Sequence, residues 1–283
     1  MNKLRVVFFG TPEFVVPIFD SLQAHFQLIG VVTTPDAPVG RKQIITASAI
    51  GQKAKELGIP AIKDIKLDHE TAEKLKELSP DLFVVASYGK IIPQSVLDVP
   101  KYGSINIHPS KLPLFRGATP IQSQVLEGII DSAISFILVD AKMDHGPLLH
   151  QEDFTIAAKD TNETLHDAMF IKAAEILPSI IKQYVEGTII PLEQNHEDAT
   201  FCKIFNRESG YFDLDTPPSP EKLDQMIRGL YPWPTAWTKW NGKIIKFLPN
   251  NMVQPEGKKP MKWKDFLNGS HNFPAQDLLD VSR

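Results

Sequence analysis

The stretch Leu4–Gly10, LRVVFFG, places five apolar side chains around a single arginine before its glycine. A strand with one wet face alternates apolar and polar residues. A run that is apolar at successive positions reads instead as a strand buried on both faces, the kind found in parallel sheets. Asp81–Ser87, DLFVVAS, repeats the pattern. Working outward, Pro12–Ala24 reads as a helix with proline in its first turn, and Gln27–Thr33 as a strand. Ser48–Gly58 is a helix ended by glycine. A short strand lies near Ile62, and Asp68–Pro80 is a helix with acids early and a proline stop. Leu82–Ala86 and Ser104–His108 are two more strands. This βαβα order predicts an α/β fold with a doubly wound, mostly parallel sheet.

Further along, Ser132–Asp140 and Leu148–Ile156 read as a later strand pair. Thr161–Gly187 reads as a long helix, capped by Thr161, stopped by Gly187 and interrupted at Pro178. The segment Thr216–Pro220, TPPSP, cannot continue a helix or strand and marks a boundary. The expected division is a first domain over 1–200, a linker over 201–220 and a small domain over 221–283.

At 283 residues with 42% hydrophobic content, the chain can fill ordinary cores. Its one cysteine, Cys202, excludes an intrachain disulfide framework and fits a reducing compartment. The N-terminal apolar run stops at Gly10 and Pro12, too early for a signal-peptide core, and no run approaches a membrane span. The expectation is a soluble, cytoplasmic protein. Charge is uneven: residues 1–200 carry a net −7 and residues 201–283 a net +3, which together make the overall −4. Seven lysines fall between Lys239 and Lys264 against one acid, Glu256. Both a solvated lysine face and a polyanion-binding surface accommodate that run.

Parallel α/β sheets bind ligands beyond the carboxyl ends of their strands. Four polar or glycine-rich segments fall at such ends here: GTPEF, TTPDAPVGRK, SYGKIIP and HPSKLPLFRG. The first lacks the second and third glycines of a dinucleotide fingerprint, and no phosphate loop is present, which disfavours a nicotinamide dehydrogenase. His145, His150 and Cys202 show no metal-ligand spacing, so no metal is expected. Period two puts Ser104, Asn106 and His108 on one face of their strand and Ile105 and Ile107 on the other. A strand-end histidine is often structural, and Asp144 with Gly146 fits a turn. Together, though, an amide, an imidazole and a carboxylate can stabilise an oxyanion, move protons and orient the imidazole. No serine or cysteine sits in a nucleophile elbow, so direct acyl transfer to an amine is more natural than a covalent intermediate.

SINIHPSKLPLFRGATPIQ (Ser104–Gln122) with MDHGP (Met143–Pro147) resembles the folate-dependent formyltransferases. Their pattern is Asn-x-His, a Ser-Leu-Leu-Pro-like loop, Arg-Gly and a later Asp. FFGTPEF, TTPDAPVGRK, VVASYGKIIP, ATFCKIFNRESGYFDL, IRGLYPWPTAW and QPEGKKPMKWKDFLNG extend the likeness over nearly the whole chain, to the branch acting on methionyl initiator tRNA. The resemblance implies a Rossmann-like catalytic domain and an oligonucleotide-binding-type barrel. It implies transfer of the formyl group of 10-formyltetrahydrofolate to the methionyl α-amine, with Asn106, His108 and Asp144 as the catalytic trio. In the implied mechanism Asn106 and protonated His108 hold the oxyanion, while Asp144 keeps the imidazole charged and aligned. Ser110, Lys111, Leu112 and Pro113 match the folate-holding loop, and Tyr88, Gly89, Lys90 and Ile91 the wall along the pterin. Arg41 and Lys42 match a loop that reaches the tRNA acceptor stem, although a plain surface turn also fits Pro35, Pro38 and Gly40. A monomer is expected.

Three departures stand out. Lys111 replaces the family's usual leucine, His145 its usual threonine, and Pro232–Phe266 is short for five strands. The expectation is an abbreviated barrel of two or three strands. Two alternatives stay open at this point. One is a related enzyme that formylates an amino sugar or hydrolyses formyl-folate; the other is a non-enzymatic RNA-binding descendant.

Overall fold

The computed structural model describes residues 3–40 and 42–279. Its strands in chain order are β1 Arg5–Gly10, β2 Gln27–Val32, β3 Ala37–Val39, β4 Ile44–Thr46, β5 Ala61–Ile62, β6 Leu82–Ala86, β7 Ser104–His108, β8 Asp131–Leu138 and β9 Leu148–Thr155, followed by β10 Ala236–Trp240, β11 Lys243–Leu248, β12 Met252–Pro255 and β13 Met261–Lys262. The helices are α1 Val16–His25, α2 Ala49–Glu56, α3 His69–Glu77, α4 Gln94–Leu97, α5 Pro120–Leu126, α6 Asn162–Val185, α7 Pro220–Gly229 and α8 Trp263–Asn268. The chain divides into two compact units. One comprises 1–117, 132–154 and 166–201; the other gathers 118–131, 155–165 and 202–283.

The first unit is built on a seven-stranded sheet in the order β5-β2-β1-β6-β7-β8-β9. Strands β5, β2, β1, β6 and β7 run parallel, and β8 pairs antiparallel with β7. The apolar runs have the reason the sequence suggested. Phe8 and Phe9 point to opposite faces and both are fully buried. Phe9 meets Phe83 at 4.9 Å and Tyr88 at 5.5 Å, while Phe8 meets Phe19 of α1 at 6.5 Å. From β1 the chain winds outward to β2 and β5, then returns to lay β6 on the other side of β1. The order reverses there, and Thr11 Oγ1 donates to Tyr88 O (3.4 Å) across the strand ends. That reversal is where such sheets bind ligands, and β7, which carries Asn106 and His108, is the next strand over.

Several local readings change. The helix expected over Pro12–Ala24 opens as a 3-10 turn at Glu13–Val15 before α1. The stretch containing Lys42 is a hairpin, β3 paired with β4, and Lys42 lies exposed in its turn; Arg41 lies outside the described residues. The long helix α6 is not interrupted at Pro178. Proline removes an N–H and leaves the carbonyl four residues back without its helical donor. That carbonyl, Ala174 O, instead accepts from Ser21 Oγ at 2.7 Å. Thr161 Oγ1 accepts from Thr164 N at 3.2 Å, as its expected capping role requires.

The second unit holds a four-stranded antiparallel sheet, β10-β11-β12-β13, where two or three strands were expected. KIIKFL and MVQP are themselves paired strands, turned by Asn250 and Asn251, both with positive φ (62° and 53°). Asn241 and Gly242, at φ 49° and 75°, make a two-residue hairpin between β10 and β11. The fourth strand has only two residues. Phe212, Ile245, Phe247, Trp263, Phe266 and Phe273 form its aromatic-rich core. Helix α7, capped by Ser219, packs on α5, and a Cβ on Gly229 would lie 3.1 Å from Leu126 Cγ. All seven lysines between Lys239 and Lys264 are exposed. Among the described residues no helix is long and apolar enough to cross a membrane.

Candidate active site

Asn106 and His108 stand two residues apart on β7, so the pleat turns both to one face. Register pairs Asn106 with Val85 of β6 on one side and Ile137 of β8 on the other. Both neighbours are apolar, so neither offers the amide a partner. Asp144 comes from the β8–β9 connection and meets both residues. Asn106 Nδ2 donates to Asp144 Oδ1 at 3.2 Å, and His108 Nδ1 lies 3.6 Å from Asp144 Oδ2. Gly117 N–H donates to Oδ2 at 2.8 Å. The His108 and Asp144 side chains are 6% and 12% exposed, so bulk water screens the pair weakly.

The imidazole is held at its other nitrogen as well. His108 Nε2 is 2.9 Å from Phe115 O. A carbonyl only accepts, so Nε2 carries a hydrogen. Asn106 keeps its second N–H and its Oδ1 outside any hydrogen bond among the described residues. That leaves an amide donor beside an imidazole and a carboxylate at the carboxyl end of a central strand.

Local backbone strain creates this geometry. Phe115 (φ 60°) and Asp144 (φ 49°) are both non-glycine residues in the left-handed region, a conformation costing on the order of 1–3 kcal/mol each and clustering at functional sites. Gly146 follows because nothing larger fits: a Cβ there would sit 1.8 Å from Leu138 O. Around Asp144 lies a polar shell. Gln194 Nε2 donates to Asp144 O (2.9 Å) and Gly146 O (2.7 Å), and its Oε1 accepts from Arg116 Nη2 at 2.6 Å. Arg116 Nη2 also reaches His196 Nδ1 at 2.9 Å. His196 stacks on His145 at 3.8 Å, and His145 Nδ1 meets Asp140 Oδ2 at 2.7 Å. Partial desolvation, then the neighbouring His145 and Arg116, hold His196 below the usual imidazole range.

The loop after His108 is pinned to β8 and β9. Ser110 Oγ donates to Leu114 O (2.7 Å), and Ser110 O accepts from Ser135 Oγ (2.6 Å). Leu112 N donates to Ser135 Oγ and Leu112 O accepts from Gln151 Nε2. Leu112–Pro113 is a cis peptide, and Pro113 O accepts from Thr200 N. Lys111 points outward, half-exposed, its Nζ 3.4 Å from Asp153. Residues 88–91 behave differently from one another. The Tyr88 ring is buried in the core, and burial, then Asp64, pushes its phenol up to about 12. Gly89 is exposed at φ 79°, Lys90 Nζ donates to Asp64 O and Ile65 O, and Ile91 is 82% exposed.

Sequence reasoning passed over Gln194, His196 and the carbonyl of Phe115. Gln194 lies in a stretch without periodicity, and a backbone carbonyl has no sequence signature. Arg116 was visible only as half of an Arg-Gly pair.

The family described as "Formyl transferase" matches residues 3–181, and "Formyl transferase, C-terminal domain" matches 218–253. The chain belongs to the formyltransferase family. Curated relatives of this formyltransferase include the methionyl-tRNA formyltransferases of Caldanaerobacter subterraneus (36% identical; 99% of this chain, 92% of that one) and Bacillus subtilis (34%; 98% of each). Among solved structures, methionyl-tRNA formyltransferase from Clostridium thermocellum aligns with TM-score 0.59 at 18% identity, over 92% of this chain and 99% of that one. A 4-N formyltransferase from Francisella tularensis aligns with TM-score 0.67 at 15% identity, over 87% and 96%. At those identities the structural likeness speaks for the formyltransferase fold alone.

Proposed function

We propose that this chain transfers the formyl group of 10-formyltetrahydrofolate to the α-amine of methionyl initiator tRNA. The products are N-formylmethionyl-tRNA and tetrahydrofolate. The observation that carries the chemistry is the meeting of Asn106 and His108 at Asp144, at the carboxyl end of β7. The acceptor follows from relatives named methionyl-tRNA formyltransferase, similar along nearly the full chain.

In this reading the amine attacks the formyl carbon and a C–N bond forms. The formyl oxygen becomes an oxyanion, stabilised by the Asn106 N–H and the His108 imidazole. Asp144 aligns the imidazolium and faces its positive charge, and the amine proton passes to the departing folate nitrogen. Collapse of the intermediate breaks the bond to the folate nitrogen, which leaves with a proton. Ser110–Pro113 and the backbone over 88–91 would hold the folate. A loop pinned at the same strand ends and the exposed Gly89 and Ile91 beside it support this reading. Arg41 and Lys42 would contact tRNA phosphates, so binding should weaken steeply with salt. The chain is proposed to act as a cytoplasmic monomer, with the first 200 residues catalytic and 221–283 assisting tRNA binding.

The test is formylation of charged initiator tRNA against charged elongator tRNA, with 10-formyltetrahydrofolate as donor and an amino sugar as a third acceptor. Preferential formylation of the initiator is expected. Preference for the sugar, or formate release without an acceptor, would overturn the reading.

A further inference from the structure

Gln194 is 5% exposed and belongs to no helix or strand, yet both ends of its amide are used. Its two N–H groups match the two backbone carbonyls it touches, Asp144 O and Gly146 O, and its oxygen takes the Arg116 guanidinium. Those carbonyls bracket the left-handed turn that presents the Asp144 carboxylate. Arg116 is equally placed. It sits between Phe115, whose carbonyl faces His108 Nε2, and Gly117, whose N–H donates to the carboxylate. A closed ring results: the Gln194 amide holds the Asp144 backbone, the Asp144 carboxylate takes Gly117 N–H, and Arg116 returns to Gln194. Arg116 is 3% exposed and has no carboxylate within ion-pair distance among the described residues. Burying a guanidinium without a counter-charge is costly, and a neutral residue would fill the same space more cheaply.

We propose that Gln194 and Arg116 are positioning residues for formyl transfer: together they set where the Asp144 carboxylate stands relative to His108 and Asn106. This rests on the reaction proposed above. The competing explanation is that the contacts only tie residues 194–196 to the sheet.

Gln194→Glu separates the two. A carboxylate has nearly the same size and still accepts from Arg116, so the tie survives. It also turns an oxygen toward two carbonyls that can only accept, so the hold on Asp144 becomes repulsion. The expected result is a kcat lowered about 10–10²-fold, because small misplacements of reacting groups cost that much. KM for tRNA and folate should stay within about threefold, since neither residue is proposed to touch substrate. Arg116→Lys, which keeps the charge but loses the planar fork, should act in the same direction. In both variants the NMR resonances of the Asn106 side-chain amide and the Gly117 backbone amide should move while those of β1 and β2 stay. Wild-type kcat in both folded variants, or unmoved resonances, overturns the proposal. Should the wild type form no formylmethionyl-tRNA, the reaction reading fails, and the two resonances still decide whether Gln194 sets Asp144.

Discussion

Asp144→Asn is the sharpest probe of the trio, because it changes charge with almost no change of shape. The carboxylate accepts from Asn106 Nδ2 and Gly117 N and stands 3.6 Å from His108 Nδ1. An asparagine offers one acceptor and one donor. Whichever way it turns, its NH2 faces Gly117 N–H or Asn106 Nδ2, and a buried donor left unmatched costs about 1–3 kcal/mol. The lost charge matters more for rate. At 3.6 Å and an effective dielectric of about 20, a carboxylate attracts an imidazolium by about 4–5 kcal/mol. Part of that is offset by the cost of keeping the carboxylate dry. A net loss of about 3–4 kcal/mol in the transition state corresponds to about 10²–10³-fold in rate. The assay is single-turnover formation of formylmethionyl-tRNA at saturating folate and tRNA, with thermal unfolding measured in parallel. Expected are a rate 10²–10³-fold down and a lowered Tm. A rate within tenfold of wild type, in a folded variant, would refute the idea that this carboxylate faces an imidazolium.

Other expectations follow from the same geometry. Asn106→Ala and His108→Ala should each lower the rate about 10²–10³-fold, as loss of an oxyanion donor does; retention of more than a tenth of the activity in either would remove that residue from the trio. Gly146→Ala places a Cβ 1.8 Å from Leu138 O, a backbone atom that cannot swing aside. Thermal unfolding should show a large destabilisation, and the remaining folded protein should be slow because Asp144 moves with its neighbour. His196 is held below the usual imidazole range. Its neutral form is therefore the one the fold prefers, so its contribution is present above about pH 6.5 and is lost as pH falls; His196→Gln should flatten stability measured across that acid limb. Tyr88 runs the other way. With its phenol pushed up to about 12, its contribution is complete below about pH 10 and declines as pH rises toward 12. Phenolate absorbance should show one late-titrating tyrosine that Tyr88→Phe removes.

How much of this was legible in the amino acids depends on the range of the interaction. Leu82–Ala86 and Ser104–His108 were readable to the residue, because an apolar run or a period of two is a local property. The interruption expected at Pro178 does not occur, because proline's effect is local only when nothing else satisfies the freed carbonyl. Ser21, 153 positions away from Ala174 in the chain, does so. The strand count in the second unit was underestimated because the three-residue turn carrying Asn250 and Asn251 leaves almost no gap between β11 and β12. In the site, Asn106 and His108 were found together because one strand carries both.

The parallel sheet, the face that Asn106 and His108 share, and the family with its series of motifs can all be read from residue order. Each is written in short segments whose side chains declare their surroundings by type and spacing. What those segments meet is set by the three-dimensional packing. Only folding carries Asp144 from the β8–β9 connection to both residues, turns the Phe115 carbonyl onto His108 and closes the Gln194–Arg116 ring. Those contacts join positions from 7 to 78 residues apart, and several end on backbone atoms that every residue possesses. Residue types alone could therefore name the members of the site but not the groups that hold them in place.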